Sequence, residues 1–276
     1  RDPNQLEKTV NAELIKVKNW CNVNKLSINF AKTSFMIVKS ARKRLNIPVD
    51  IRLPDKNGLF LHLKQNQHIK YLGVLIDEKM NWQYHIASVC ARIAQNTGIF
   101  YKLRHFLTPR QLRQIYHTLI YPHVSYAIVA WGSAYKTHIN KLQVKQNHFA
   151  RVVFFEVLYG ENTASALPLL NLLDLLTVKN IYQFKALKFI HDWHKQILPS
   201  IFNDFFHYAK NVHSYNTRYA SQNNLYKSRF RTNMGRQTIS AMAIDIWQNL
   251  PSIFKDLNIF AFNKNVKTYL LLNQFE

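Results

Sequence analysis

Thr108-Pro109-Arg110-Gln111-Leu112-Arg113-Gln114-Ile115-Tyr116-His117-Thr118-Leu119-Ile120-Tyr121-Pro122 is the stretch on which the reading of this chain turns. Thr108 with Pro109 behind it is a helix start: a hydroxyl to cap the first amides and a ring already fixed at helical φ. Leu112, Ile115, Tyr116, Leu119 and Ile120 then recur at helical spacing, and Tyr121-Pro122 closes the run. Arg110, Arg113 and His117 fall together at i, i+3 and i+7 on the opposite face. A basic stripe on an otherwise ordinary amphipathic helix points to phosphate contacts.

The surroundings strengthen that indication. No Asp or Glu occurs between Glu78 and Glu156, whereas Lys79, Arg92, Lys102, Arg104, Lys136, Lys141, Lys145 and Arg151 all lie there. A second acid-free stretch, between Asp204 and Asp245, holds Lys210, Arg218, Lys227, Arg229, Arg231 and Arg236. Over the whole chain 37 Lys and Arg face 15 Asp and Glu, a formal charge of +22. Such an excess repels itself unless a polyanion neutralises it, and a phosphate backbone is the default partner. The plainer account is a solvated basic surface. The 47% hydrophobic content and 18 Phe indicate a folded protein. Cys21 and Cys90, far apart, read as buried thiols of a reducing compartment, and no apolar run is long enough to span a bilayer. Asp2-Pro3 reads as a helix start without a leader, so the sequence is expected to continue an upstream region inside the cell.

Working outward towards the amino terminus, Leu6, Val10, Leu14, Val17 and Cys21 predict an amphipathic helix over residues 3–23. Leu26–Phe30 and Ser34–Lys39 read as strands about Ala31-Lys32-Thr33, with the basic cluster Arg42-Lys43-Arg44 following. Val49–Leu53 and Leu59–Leu63 flank the hairpin signal Asp55-Lys56-Asn57-Gly58, and Ile69–Asp77 reads as one further strand. Beyond Asp77 the pattern is helical. Ile86, Val89, Ile93, Thr97 and Phe100 form a stripe that Gly98 is expected to break, because an unbroken helix would set Arg104 on the apolar face. Leu142–Phe155, Val178–Gln196, Ile239–Leu250 and Phe260–Leu272 are further helices.

Catalytic signatures are sparse. The six glycines never cluster into a phosphate-binding loop. His191-Asp192-Trp193-His194 imitates two metal ligands but reads as an ordinary helix surface. Two-metal phosphoryl transfer needs closely spaced carboxylates, and no two Asp are adjacent.

Several segments together resemble the reverse transcriptases of non-LTR retrotransposons, the jockey-like group above all. They are Trp20-Cys21 with Asn24-Lys25-Leu26-Ser27-Ile28-Asn29 and Lys32-Thr33; Lys70-Tyr71-Leu72-Gly73-Val74 with Ile76-Asp77, Trp82 and His85-Ile86; and Leu119–Tyr126 with Trp131-Gly132. Leu142-Gln143 with Gln146-Asn147, Tyr215-Asn216-Thr217-Arg218 and Trp247-Gln248-Asn249-Leu250-Pro251 follow. Gln248 departs from the family, which usually has Trp-Asn directly.

The resemblance implies an α+β fold: a small antiparallel palm remnant over residues 1–77, a helical thumb over 78–160 and a helical extension over 161–276. It implies that the two metal-binding aspartates lie upstream, so that Mg2+ belongs only to the complete polymerase and this chain, holding no cofactor, is inactive alone. Lys32 would correspond to a lysine proposed to protonate departing pyrophosphate; the alternative is a solvent-exposed turn lysine. Lys70, Tyr71, Leu72 and Gly73 would form a primer grip, with Gly73 admitting a close backbone approach; the alternative is that Gly73 serves packing. Arg92, Lys102, Arg104, Arg110, Arg113 and His117 would hold duplex phosphates. Arg218, Arg229 and Arg231, interleaved with Tyr215, Tyr219, Tyr226 and Phe230, would contact single strands or else border core aromatics. The implied partners are an RNA template, a DNA primer and the upstream palm and fingers, with no membrane. A basic nucleic-acid-binding protein without enzymatic role, or a decayed transposon remnant, is the competing expectation.

Overall fold

The computed structural model describes residues 3–39, 49–55, 58–155, 165–212 and 224–274. Its contacts divide the chain into two compact units, 1–85 and 86–276. The fold is α+β with helix dominant, and the strands form small two-stranded sheets.

The first unit opens with α1 (Pro3–Val23). Its apolar positions Leu6, Val10, Leu14 and Cys21 are only half-buried and Val17 is exposed, so the predicted helix forms while its stripe stays largely uncovered. What ties α1 down is polar. The Asn11 side chain donates to the Asp50 carbonyl at 3.1 Å and accepts from Arg52 N at 2.9 Å, and Glu7 accepts from Asp50 N at 3.0 Å. These side chains satisfy the open edge of β2 (Arg52–Pro54) as a neighbouring strand would. Strand β2 pairs antiparallel with β3 (Phe60–His62), the expected hairpin, closed by Gly58 at φ +83°. The turn residues Lys56 and Asn57, and the cluster Arg42-Lys43-Arg44, lie outside the described residues.

Three sequence expectations are corrected here. Leu26–Asn29 is not a strand and Phe30–Lys32 is a 3-10 turn, while of the expected Ser34–Lys39 only Ser34–Phe35 (β1) is a strand, paired in parallel with Lys64–Gln65 (β4). Residues 69–77 are not one strand. They form a hairpin of β5 (His68–Tyr71) and β6 (Val74–Asp77), because Leu72-Gly73 reverses the chain. The predicted single antiparallel sheet is therefore a set of separate pairs, with Ile51, Leu53 and Val74 as its small core.

Helix α2 (Gln83–Leu103) runs unbroken through Gly98, contrary to the expected break. It simply ends before Arg104, so that side chain escapes the apolar face without a kink. A Cβ at Gly98 would meet nothing within 4 Å. Helix α3 (Pro109–Leu119) starts as predicted, with a reciprocal capping box between Thr108 and Gln111. Short α4 (Tyr121–Ser125) and α5 (Ile128–Trp131) lead to α6 (Lys136–Val153). After α7 (Leu167–Leu172), α8 (Val178–His194) forms the axis of the second unit. Its Val178, Ile181, Tyr182, Ala186, Leu187 and Ile190 are buried. Around it pack α4, α5, α6, α11 (Ile239–Gln248) and α13 (Ile259–Leu272). Smaller turns, α9 (Ala209–Val212), α10 (Asn233–Arg236) and α12 (Ser252–Lys255), complete the described helices. Cys21 and Cys90 are free and half-buried, not fully buried as expected.

Several segments that stood out in the sequence turn out to be packing devices of this unit. Gly132 lies where α5 meets α8: a Cβ there would come within 2.4 Å of the Tyr182 ring and 2.6 Å of the Ile128 carbonyl. Gln146, fully buried, donates to the Tyr116 hydroxyl at 2.9 Å and the Leu176 carbonyl at 2.8 Å. Gln143 donates to Gln146 and Asn147 and accepts from Val178 N at 2.8 Å. The Gln143–Gln146–Asn147 spacing thus builds an amide ladder that locks α3 and the start of α8 onto α6. Burial pushes the Tyr116 hydroxyl strongly up, so it remains a neutral partner. In the Trp247–Pro251 segment, Trp247 and Leu250 are buried and Gln248 donates to the Leu225 carbonyl at 3.1 Å.

Candidate nucleic-acid interface

In the first unit the candidate side chains gather at a hairpin tip and a turn. Tyr71 pairs with Val74, leaving Leu72 (φ +45°) and Gly73 (φ +85°) as a two-residue loop with both residues left-handed, the type I′ geometry. Glycine adopts this without cost; leucine costs roughly 1 kcal/mol. Nevertheless Leu72 is 73% exposed and Tyr71 63% exposed, so the hairpin presents apolar and aromatic surface at its tip, with exposed Lys70 beside it. Beneath it, buried Asp77 accepts from the backbone N–H groups of Lys79, Asn81 and Trp82 at 2.8–3.2 Å. Two of the residues in that turn, Met80 and Trp82, have positive φ, and the carboxylate holds them there. Asp77 is thereby an anchor of the strand-to-helix connection.

Lys32 occupies the last position of its 3-10 turn. The Asn29 side chain accepts from Lys32 N at 3.2 Å, and the Thr33 hydroxyl donates to the Asn29 carbonyl at 2.8 Å. Asn29 and Thr33 thus build the turn, and the Lys32 ammonium projects from it, exposed.

The stripe on α3 separates into three different situations. Arg110 faces solvent. Arg113 is engaged in an ion pair with Asp174. His117 packs edge-on against Tyr116 and Tyr121, at 5.5 and 5.2 Å between ring centroids. Burial holds its pKa below the usual histidine range, and Lys267 and Arg113 nearby push in the same direction. At neutral pH His117 is therefore an uncharged wall of a cavity of about 280 Å³ that it shares with Tyr121, Asp174, Phe184 and Lys267. Helical periodicity placed these residues on one face but carried no information about Asp174, sixty-one positions away.

Arg92 and Lys102 are exposed on α2. Arg104 stacks over Phe155 at 3.8 Å and over Tyr101 at 5.0 Å. Lys141 and Lys145, four apart on α6, both lie close enough to Cys90 of α2 to act on its thiol, which burial pushes up. Packing thus brings two α6 cations to the Cys90 side of α2, a relation that the sequence did not indicate. At the far end of the chain Arg229 and Arg231 are exposed, whereas Lys227 is paired with Asp245 at 2.6 Å. Tyr226 and Phe230 are half-buried and line a cavity of about 560 Å³ with Phe205 and Ile244. Arg218, Tyr215 and Tyr219 lie outside the described residues.

His191 is not on a helix surface as expected: it is fully buried, stacked on Phe262 at 3.9 Å, with Nε2 donating to the Leu257 carbonyl at 2.9 Å. His194 instead meets the Tyr208 hydroxyl at 2.5 Å. Among the described residues no group of three or more His, Cys, Asp or Glu is placed to hold a metal ion, and no helix is long and apolar enough to cross a membrane.

Comparison with known proteins finds distant, partial similarity to RNA-directed DNA polymerases of non-LTR mobile elements. The chain is 25% identical over 144 residues, half its length, to the probable RNA-directed DNA polymerase from transposon X-element of Drosophila melanogaster. It is 28% identical over 121 residues, 41% of its length, to the RNA-directed DNA polymerase from mobile element jockey of Drosophila funebris. Over 154 residues, 54% of its length, it is 24% identical to the probable enzyme from transposon BS of Drosophila melanogaster. The matched regions cover only 15%, 13% and 16% of those proteins. No family model and no solved structure matches.

Proposed function

We propose that this chain is the gripping part of a mobile-element RNA-directed DNA polymerase, one that holds template and primer while the catalytic carboxylates belong to another part of the same enzyme. The observation that carries this reading is the disposition of charge in the second unit. Asp174, Asp192 and Asp245 each close on a cation of their own. Arg92, Lys102, Arg110, Lys136 and Lys141, drawn from a stretch without a single acid, face solvent. Cations left in this state bind phosphates without reading sequence, and a polymerase needs that indifference.

The relation to mobile-element polymerases supplies the substrate class: an RNA template paired to a DNA primer. In this reading the Tyr71-Leu72-Gly73 tip bears on the primer strand, and Lys32 protonates the leaving pyrophosphate. Metal chemistry, and Mg2+ with it, enters with the carboxylate pair of the complete enzyme. Palm and fingers from that enzyme are then partners of the first unit.

Two measurements test the proposal. Binding of an RNA–DNA duplex, followed by filter retention over a salt series, should weaken about a thousandfold between low and moderate salt if roughly six phosphates are neutralised. A flat salt response would sink the reading. Primer extension by this chain alone should be absent, and measurable extension would show that the chemistry is not elsewhere.

A further inference from the structure

The turn between α2 and α3 holds something that a grip on duplex phosphates does not require. Phe106 is 83% exposed there, and Tyr101, one turn earlier on α2, is 42% exposed. Both belong to the stretch that contains no acid. The corner is ordered by its own contacts. The Tyr101 hydroxyl meets His148 Nε2 of α6 at 3.0 Å, and the Arg104 guanidinium lies over Phe155 and Tyr101. His105 closes edge-on against Phe155 at 4.9 Å. Exposed Lys102 stands beside them.

We infer that this corner binds single-stranded nucleic acid, with unpaired bases stacking on Phe106 and Tyr101 and the adjoining phosphates held by Lys102 and Arg104. The inference rests on the nucleic-acid reading above and specifies a second substrate form for it. In a duplex the base faces are covered by their neighbours, so an exposed phenyl ring gains nothing from it. An unpaired base offers its face, and a ring already turned to solvent needs no rearrangement to receive it. Stacking on the aromatic rings fixes Arg104 beforehand, so less freedom is lost when a phosphate arrives. A protein partner at the same corner would have to be acidic to match it.

The test uses the full chain, a fluorescently labelled oligo(dT) and a blunt-ended duplex, with anisotropy as the readout. Phe106→Ala should weaken oligo(dT) about five- to a hundredfold while leaving duplex affinity unchanged, and Phe106→Trp should restore it. Because the ring is exposed, circular dichroism should show both variants folded. An equal loss on both ligands, or no loss on oligo(dT), overturns the inference. If the unmutated chain binds neither ligand, the nucleic-acid reading itself fails; if it binds duplex normally and Phe106→Ala leaves oligo(dT) untouched, only the single-strand site fails.

Discussion

Replacing Gln146 by leucine is the sharpest test of how the second unit is held together. The side chain is fully buried, and its amide donates to both the Tyr116 hydroxyl and the Leu176 carbonyl. Leucine fills most of the volume but strands both groups. Gln143 keeps Asn147 as an alternative acceptor, so its loss is minor. Each stranded buried group costs about 1–3 kcal/mol, so the substitution should destabilise by roughly 2–5 kcal/mol. With a urea slope of about 2 kcal/mol per molar, the midpoint should fall by roughly 1–2.5 M. Tyr116→Phe alone leaves Gln146 bonded to Leu176 and should cost about 1 kcal/mol. The double variant is the discriminating measurement, since removing the hydroxyl also removes one of the groups that leucine strands. Its cost should fall short of the sum of the singles by about 1–2 kcal/mol. Urea unfolding followed by tryptophan fluorescence reports this directly, because Trp131 is buried in the same unit. A neutral Gln146→Leu, or strictly additive costs, would refute the claim that these amides form one network.

Two glycines should respond in opposite senses to alanine. Gly132→Ala drives a methyl into the Tyr182 ring and the Ile128 carbonyl and should cost about 1–3 kcal/mol, read as a lowered Tm, whereas Gly98→Ala enters open space inside a helix and should stabilise by about 0.5–1 kcal/mol. An unchanged or raised Tm for Gly132→Ala would show the packing assigned to Gly132 to be wrong, and a lowered Tm for Gly98→Ala would refute the open space at Gly98. Stability should also fall as pH drops from 7 to 5. Burial lowers the pKa values of His117, His191 and His194, so the unfolded chain takes up protons first. The contribution of the neutral rings is complete above the unfolded value of about 6.5 and is lost as pH falls towards the folded values. His191→Phe keeps a ring to stack on Phe262 and removes one titration, so its urea midpoint should decline less over that interval; an unchanged slope would exonerate His191.

Local chemistry was legible in the sequence because it acts over a few residues. Thr108-Pro109 capped α3 as expected, the helical periodicities recovered α8, α11 and α13 to within two residues and found α6 although it starts six residues before the expected Leu142, and Gly58 closed its hairpin. Where two local signals competed, the sequence misled: a glycine inside α2 was tolerated because its neighbours packed, and Leu72 accepted positive φ because the strands on either side paired. The family relation, too, came from residues in order along the chain.

What tertiary structure alone decided was the state of each charge and each ring. Arg110, Arg113 and His117 share a helix face by periodicity, yet one is solvated, one is ion-paired and one is a neutral, half-buried cavity wall. His191 and His194 are three residues apart, yet only the first lies fully inside the core. The difference arises from partners distant in sequence, such as Asp174, Lys267, Phe262 and Leu257, brought close by packing around α8. Periodicity fixes direction along one element; burial and counter-charge depend on what another element brings to meet it.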